Sequence, residues 1–128
     1  MRVLLDTCTV IWATLAPSSL SPNARKTIAD ESNTVLVSAA SAWEIATKVR
    51  AGRLPGAEKL EQDYVDVMEA AGYTQLAIDA AATLRAGRLI ADHRDPFDRM
   101  IAAQALALDI AVVSPDAQLD QFGIRRMW

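Results

Sequence analysis

The feature that most limits how this chain can fold is a pair of short phrases near its two ends, each setting an acid in an apolar context. Val3-Leu4-Leu5 runs straight into Asp6-Thr7, and Asp95-Pro96-Phe97-Asp98-Arg99 leads into Met100-Ile101-Ala102-Ala103. An apolar run with no polar alternation is the pattern of a strand buried on both faces, which belongs to a parallel sheet flanked by helices. Open sheets of that kind keep their sites at the carboxyl ends of the strands. An acid that follows such a run is therefore delivered to the edge where chemistry is done.

The rest of the chain agrees with that architecture. Arg2–Leu5, 34–37, 74–78 and 110–113 read as strands, and 124–128 as an edge strand. Between them lie an apolar helical turn at Val10–Leu15 and helices over 21–32, 40–51, 57–71, 79–90 and 95–108. Ser21-Pro22 and Asp95-Pro96 are helix starts with a capping side chain and Pro in the first turn. Gly52 and Gly72 are helix stops. Strands alternating with helices predict an α/β fold, a central, mostly parallel sheet of four to five strands with helices on both faces. The 128 residues suit one domain, 1–128, with a core that needs no covalent staple.

Composition narrows the class only a little. Hydrophobic residues at 52% exclude a disordered chain, yet no apolar run nears the roughly 20 residues of a membrane span. The first strand begins almost at Met1, leaving no room for a signal peptide ahead of it. A lone cysteine, Cys8, permits no internal disulfide and suits the cytoplasm. Its apolar setting predicts a buried, inert thiol. A net charge of −3 argues against nucleic-acid binding by bulk electrostatics. It leaves room for a nuclease whose clustered acids are offset by bound cations.

Five acids merit individual readings. Asp6 ends the first strand and is either a helix cap or a site carboxylate. Asp116 lies just past the fourth strand in Pro115-Asp116, also ordinary turn chemistry. Asp95 is well explained as an N-cap, whereas Asp98 lines up with Ile101, Ala102 and Ala105 on an inward stripe. A carboxylate on a buried face is costly unless paired, bonded or metal-bound, so Asp98 is the better site candidate and Asp95 the better cap. Glu44 points away from the apolar face of Ala42, Ile45, Ala46 and Val49. On its own it reads as an exposed ion pair with Lys48. If Asp6, Glu44, Asp98 and Asp116 met within ~5 Å, each pair would repel by roughly 3 kcal/mol at an effective dielectric near 20. A domain stable by only about 5–15 kcal/mol cannot hold several such pairs unrelieved. An all-oxygen donor set favours Mg²⁺ or Mn²⁺ over Zn²⁺. His93, the lone histidine, reads as a surface or packing residue, and Trp12, Trp43 and Trp128 are too scattered to stack bases.

Leu4-Leu5-Asp6-Thr7, Ser41-Ala42-Trp43-Glu44-Ile45, the His93–Arg99 phrase with Ile101–Ala105, and Ser114-Pro115-Asp116 together resemble the PIN-domain family in order and spacing. Within it they look like the VapC-type toxins of bacterial type II toxin–antitoxin systems, and the likeness spans essentially the whole chain. The resemblance implies a PIN-like three-layer fold and a metal-dependent endoribonuclease that blocks translation by cutting structured RNA, tRNA or rRNA. It implies an acidic pocket built from Asp6, Glu44, Asp98 and Asp116, which raises Glu44 from surface pair to site residue. Thr7 matches a hydroxyl that helps orient the first Asp, and Asp95 caps the helix beside the pocket. Cys8 and Ser114 stand where His and Thr are frequent. The implied partners are a second copy of the chain and an antitoxin that inserts a basic residue among the acids. The turn Val10–Leu15 and the stripe Leu60, Tyr64, Val67 and Met68 are either surfaces for those partners or core.

Other classes fit less well. A haloacid-dehalogenase-type phosphohydrolase needs an acid two residues after Asp6, where Cys8 stands. A response-regulator receiver needs a late strand-end lysine that is missing. A catalytically silent PIN-like binding module stays open as an alternative, though all four acids are present.

Overall fold

The computed structural model describes Met1–Trp128 as five parallel strands wrapped by helices. In chain order the elements are β1 (Arg2–Leu5), α1 (Thr7–Leu15), α2 (Pro22–Ala29), β2 (Thr34–Ser38), α3 (Ala39–Arg50), α4 (Glu58–Gln62), α5 (Tyr64–Ala70), β3 (Thr74–Leu76), α6 (Ala80–Arg88), α7 (Pro96–Leu108), β4 (Ala111–Val113) and β5 (Arg126–Met127). Short 3₁₀ turns occupy Pro17–Ser19 and Ala117–Phe122. The strand order is β3-β2-β1-β4-β5, and β5 is the edge strand that the sequence suggests. No helix is long and apolar enough to cross a membrane.

β1 is the centre of the sheet, with Leu4 level with Leu36 on one side and Val112 on the other. Side chains alternate across a strand, so each apolar run splits between two cores. Val3, Leu5, Val35, Val37 and Val113 meet Val10, Ile45, Leu60, Tyr64 and Met68 on one face. Leu4, Leu36 and Val112 meet Ile101, Ala102, Ala105, Leu119 and Phe122 on the other. Fully burying each Leu or Ile is worth about 1.5–3 kcal/mol, which is why these runs tolerate no polar residue.

Capping fixes where the helices begin. Asp6, Ser21, Ser38, Asp79 and Asp95 each accept a hydrogen bond from a backbone N–H of the first turn they precede. After α3, Gly52 reverses the chain at φ 70°, a left-handed conformation that costs a glycine little. Asp109 takes the same role after α7 at φ 52°, and Arg125 holds its carbonyl at 2.7 Å.

Several sequence expectations need correction. The helix expected over 57–71 is two, α4 and α5, because Asp63 at φ −104°, ψ 17° leaves helical values between them. That bend lets Leu60, Tyr64 and Met68 all enter the core, so three residues of the proposed partner stripe are spent inside the protein. Val10 is likewise buried, and only the later residues of its turn reach the surface. The second helix stops at Ala29, where the Asp30 carboxylate turns back to Ser32 N at 2.9 Å. The helix expected over 79–90 covers only Ala80–Arg88, with Asp79 as its cap.

The stretch between α6 and α7 has no regular structure and is pinned by one side chain. The Arg99 guanidinium donates to the carbonyls of Ala86 (3.1 Å), Ala91 (3.2 Å), His93 (3.0 Å), Gly87 (3.5 Å) and Leu89. Lysine carries the charge but not the planar fork that serves several acceptors at once. Arg99→Lys is expected to lower stability in urea by about 2 kcal/mol, against less than about 0.5 kcal/mol for the exposed Arg88→Lys.

Candidate active site

The acids reach one place because parallel strands end on the same side. Asp6 follows β1 directly and caps α1, its Oδ1 accepting from Thr9 N at 2.8 Å. Its Oδ2 accepts from the Ser114 hydroxyl, one residue past β4. Ser114 Oγ in turn accepts from Asp116 N at 3.0 Å, so one serine links the two acids. Burial raises the Asp6 carboxyl above the usual range, hydrogen bonds from Ser114 and Thr9 pull it back, and the Asp116 charge adds to the rise. Thr7 Oγ1 and Ser41 Oγ are 3.0 Å apart, joining α1 to α3.

Glu44 departs most from its reading as an exposed residue. It is only 5% exposed, and Ser41, on the same side of α3, is fully buried. That side packs against α1 through hydroxyl contacts, so the polar side of α3 is as much an inner face as its apolar one. The expected ion pair with Lys48 does form, through Oε2. Oε1 is buried with no hydrogen-bond partner.

Asp95 caps α7, accepting from Phe97 N at 2.9 Å and Asp98 N at 3.2 Å. Asp98 follows in the first turn, its Oδ2 2.8 Å from His93 Nε2. Burial lifts the Asp98 carboxyl to about 6; the His93 contact opposes the rise, and Asp95 and Glu44 add to it. His93, read from the sequence as a surface or packing residue, does pack, and it is also a neighbour of Asp98 that the sequence did not pair with it. It rests edge-on against Phe122 with centroids 5.6 Å apart, and its spacing of five residues from Asp98 gave no periodic signal.

One cavity of about 440 Å³ gathers these groups. It is lined by Asp6, Thr7, Cys8, Ile11, Trp12, Glu44, Lys48, Leu54, Asp95, Asp98, Pro115 and Asp116. All four acids singled out from the sequence are present, together with Asp95 and Thr7. Cys8 is half-buried at this wall rather than in the core. Burial, with Asp6 and Glu44 nearby, pushes its thiol up to about 11, so it stays protonated and unreactive at neutral pH. No three of the acids stand together as a preformed ion-binding cluster. Five carboxylates facing one lysine, and an orphaned buried oxygen on Glu44, make a donor set that fits a hard divalent cation. A second groove, about 230 Å³, lies between α3, α6 and α7 beside Trp43, Pro96 and Met100, and has Arg99 as its only charged residue. It offers no acid–base chemistry.

The sequence model of the PIN domain family matches residues 3–124, almost the whole of this framework. The chain belongs to the PIN domain family. Ribonuclease VapC16 of Mycobacterium tuberculosis is 42% identical to this PIN domain over 59 residues. That match spans 46% of this chain and 42% of the relative, less than half the length of either. VapBC2 from Rickettsia felis, solved bound to a DNA fragment from their promoter, superposes with a TM-score of 0.73 at 16% identity, covering 100% of this chain and 99% of that one. VapBC-1 from nontypeable Haemophilus influenzae gives 0.65 at 16% identity over 99% and 97%. FitAcB from Neisseria gonorrhoeae gives 0.59 at 20% identity over 98% and 96%. At such identities the solved structures share the PIN domain fold with this chain.

Asp98 gives the metal-free PIN domain a pH signature. A carboxyl whose folded value lies above its unfolded one binds protons more tightly when folded, so stability falls as pH rises from about 4 to 6. Asp98→Asn removes that loss. In EDTA it is expected to be more stable than wild type by on the order of 2 kcal/mol at pH 7, the gap closing towards pH 4. Urea unfolding at both pH values measures it. Asp95→Ala, which loses a cap, is expected to cost about 1 kcal/mol at either pH.

Proposed function

We propose that this PIN domain is a divalent-metal-dependent endoribonuclease, the toxin of a type II toxin–antitoxin pair, acting in the cytoplasm on structured RNA. The observation that carries the reading is the cavity in which Asp6, Glu44, Asp98 and Asp116 converge from four separate elements, with one Glu44 oxygen left unpartnered. Asp6 and Asp98 would hold the ion, Mg²⁺ or Mn²⁺, most directly, and Glu44 and Asp116 would complete its shell or orient water. When bound, such a cation supplies an acidified water and neutralises charge on the scissile phosphate.

The chain's own residues do the rest. Ser114 and Thr9 fix the Asp6 carboxylate from opposite sides, so one donor is preset. His93 fixes Asp98 in the same way, as partners of ligating carboxylates commonly do. Thr7 braces α1 against α3 and so sets Asp6 relative to Glu44. Ile11, Trp12 and Leu54 give the cavity an apolar rim, which limits competing water.

The same charge explains inhibition by a partner. An arginine from an antitoxin would bridge two carboxylates with directed hydrogen bonds and displace the ion. Relatives solved as VapBC and FitAB pairs support an antitoxin partner, and a homodimer is part of the same reading.

Cleavage of structured RNA by the purified protein is expected with Mg²⁺ or Mn²⁺ and not in EDTA. Asp98→Asn should lose at least about 100-fold in rate while remaining folded, whereas Asp95→Asn, which still caps the helix, should stay within about threefold. Undiminished cleavage in EDTA, or full growth inhibition by folded Asp98→Asn, would overturn the reading.

A further inference from the structure

Lys48 is the only basic residue among the side chains that line the acid cavity. It lies one helical turn from Glu44 on α3 and pairs with Oε2, while Oε1 has nothing. The two partners differ in freedom. The Glu44 side chain is 7% exposed, and that of Lys48 is 33% exposed. A lysine head on a flexible stem can swing away from such a pair at little cost. A buried carboxylate cannot follow it and must be given another counter-charge before the lysine leaves.

A phosphodiester that enters this cavity meets Asp6, Glu44, Asp95, Asp98 and Asp116, all of its own sign. We propose that Lys48 is an exchangeable substrate-binding residue, which neutralises Glu44 in the metal-free protein and turns to an RNA phosphate once a divalent cation takes the Glu44 carboxylate. The inference rests on the metal-nuclease reading above and adds an order of events to it. The lysine is free for phosphate only after the cation arrives, so the cation strengthens RNA binding beyond its own contacts. By linkage, RNA strengthens cation binding equally.

Removing the lysine therefore has opposite effects on the two ligands, which a merely structural role would not produce. By calorimetry, Lys48→Met is expected to bind Mn²⁺ about fivefold more tightly than wild type, because its internal competitor is gone. Binding of a short mixed-sequence single-stranded RNA in Ca²⁺ is expected to weaken about tenfold, with the slope of log K against log salt reduced by ~0.7. Lys48→Arg should keep the wild-type slope. Unchanged or weaker Mn²⁺ binding by folded Lys48→Met, or an unchanged slope, overturns the proposal. Should Lys48→Met fail to fold, the wild-type protein decides, since it has only three lysines to assign by isotope labelling. A Lys48 ammonium signal that shifts with Mg²⁺ and again with RNA supports the exchange, and one unmoved by both refutes it. Wild type that binds no Mn²⁺ and cleaves no RNA instead overturns the nuclease reading itself, and this proposal with it.

Discussion

One acid ties the carboxyl ends of β1 and β4 together, and the rest of the site is built outward from it. The Asp6 N–H bonds the Val113 carbonyl at 3.2 Å, and the Thr9 hydroxyl reaches the same carbonyl at 2.9 Å. Ser114, one residue past the other strand, closes the loop by donating to the Asp6 carboxylate. The residues that finish the β1–β4 ladder are thus the residues that satisfy a buried charge, since the Thr9 N–H and the Ser114 hydroxyl both donate to the Asp6 carboxylate. A carboxylate so deeply placed would be prohibitive without them, and the strand ends would be ragged without it.

The opposite wall is made by different means. Asp95, Asp98 and His93 lie on a helix start and an irregular segment, where no ladder sets their positions. The Arg99 guanidinium substitutes for a ladder by collecting the carbonyls of the preceding segment, and it also lies over the Phe122 ring, 5.8 Å from its centroid. His93, held from behind in this way, meets Asp98. The cavity therefore has a strand-built side and a clamp-built side.

Strands and caps, that of Asp95 included, were legible in the sequence because each rests on local physics. Apolar runs locate β1, β2 and β4, and Asp95-Pro96 announces a helix start whatever the fold. Glu44, which the family resemblance singled out, was illegible from its helical position for a physical reason. Amphipathic reading counts only apolar side chains as inward, whereas α3 packs one side on carbon and the adjoining side, through its Ser41 hydroxyl, on Thr7 of α1. His93 escaped because its partner is chosen by a loop path that Arg99 dictates, which no periodicity encodes. The bend at Asp63 likewise answers to where Leu60, Tyr64 and Met68 must go, a tertiary demand.

Trp43 is 61% exposed, an odd place for so large an apolar side chain until its neighbour is considered. It packs edge-on against Phe97 with centroids 4.7 Å apart. Each ring directly precedes an acid of the cavity, Trp43 before Glu44 on α3 and Phe97 before Asp98 on α7. The aromatic contact thus acts as a spacer on the outer surface for two carboxylates that face inward. The gap between those carboxylates is gauged from outside the cavity, at a point that solvent and other molecules can touch.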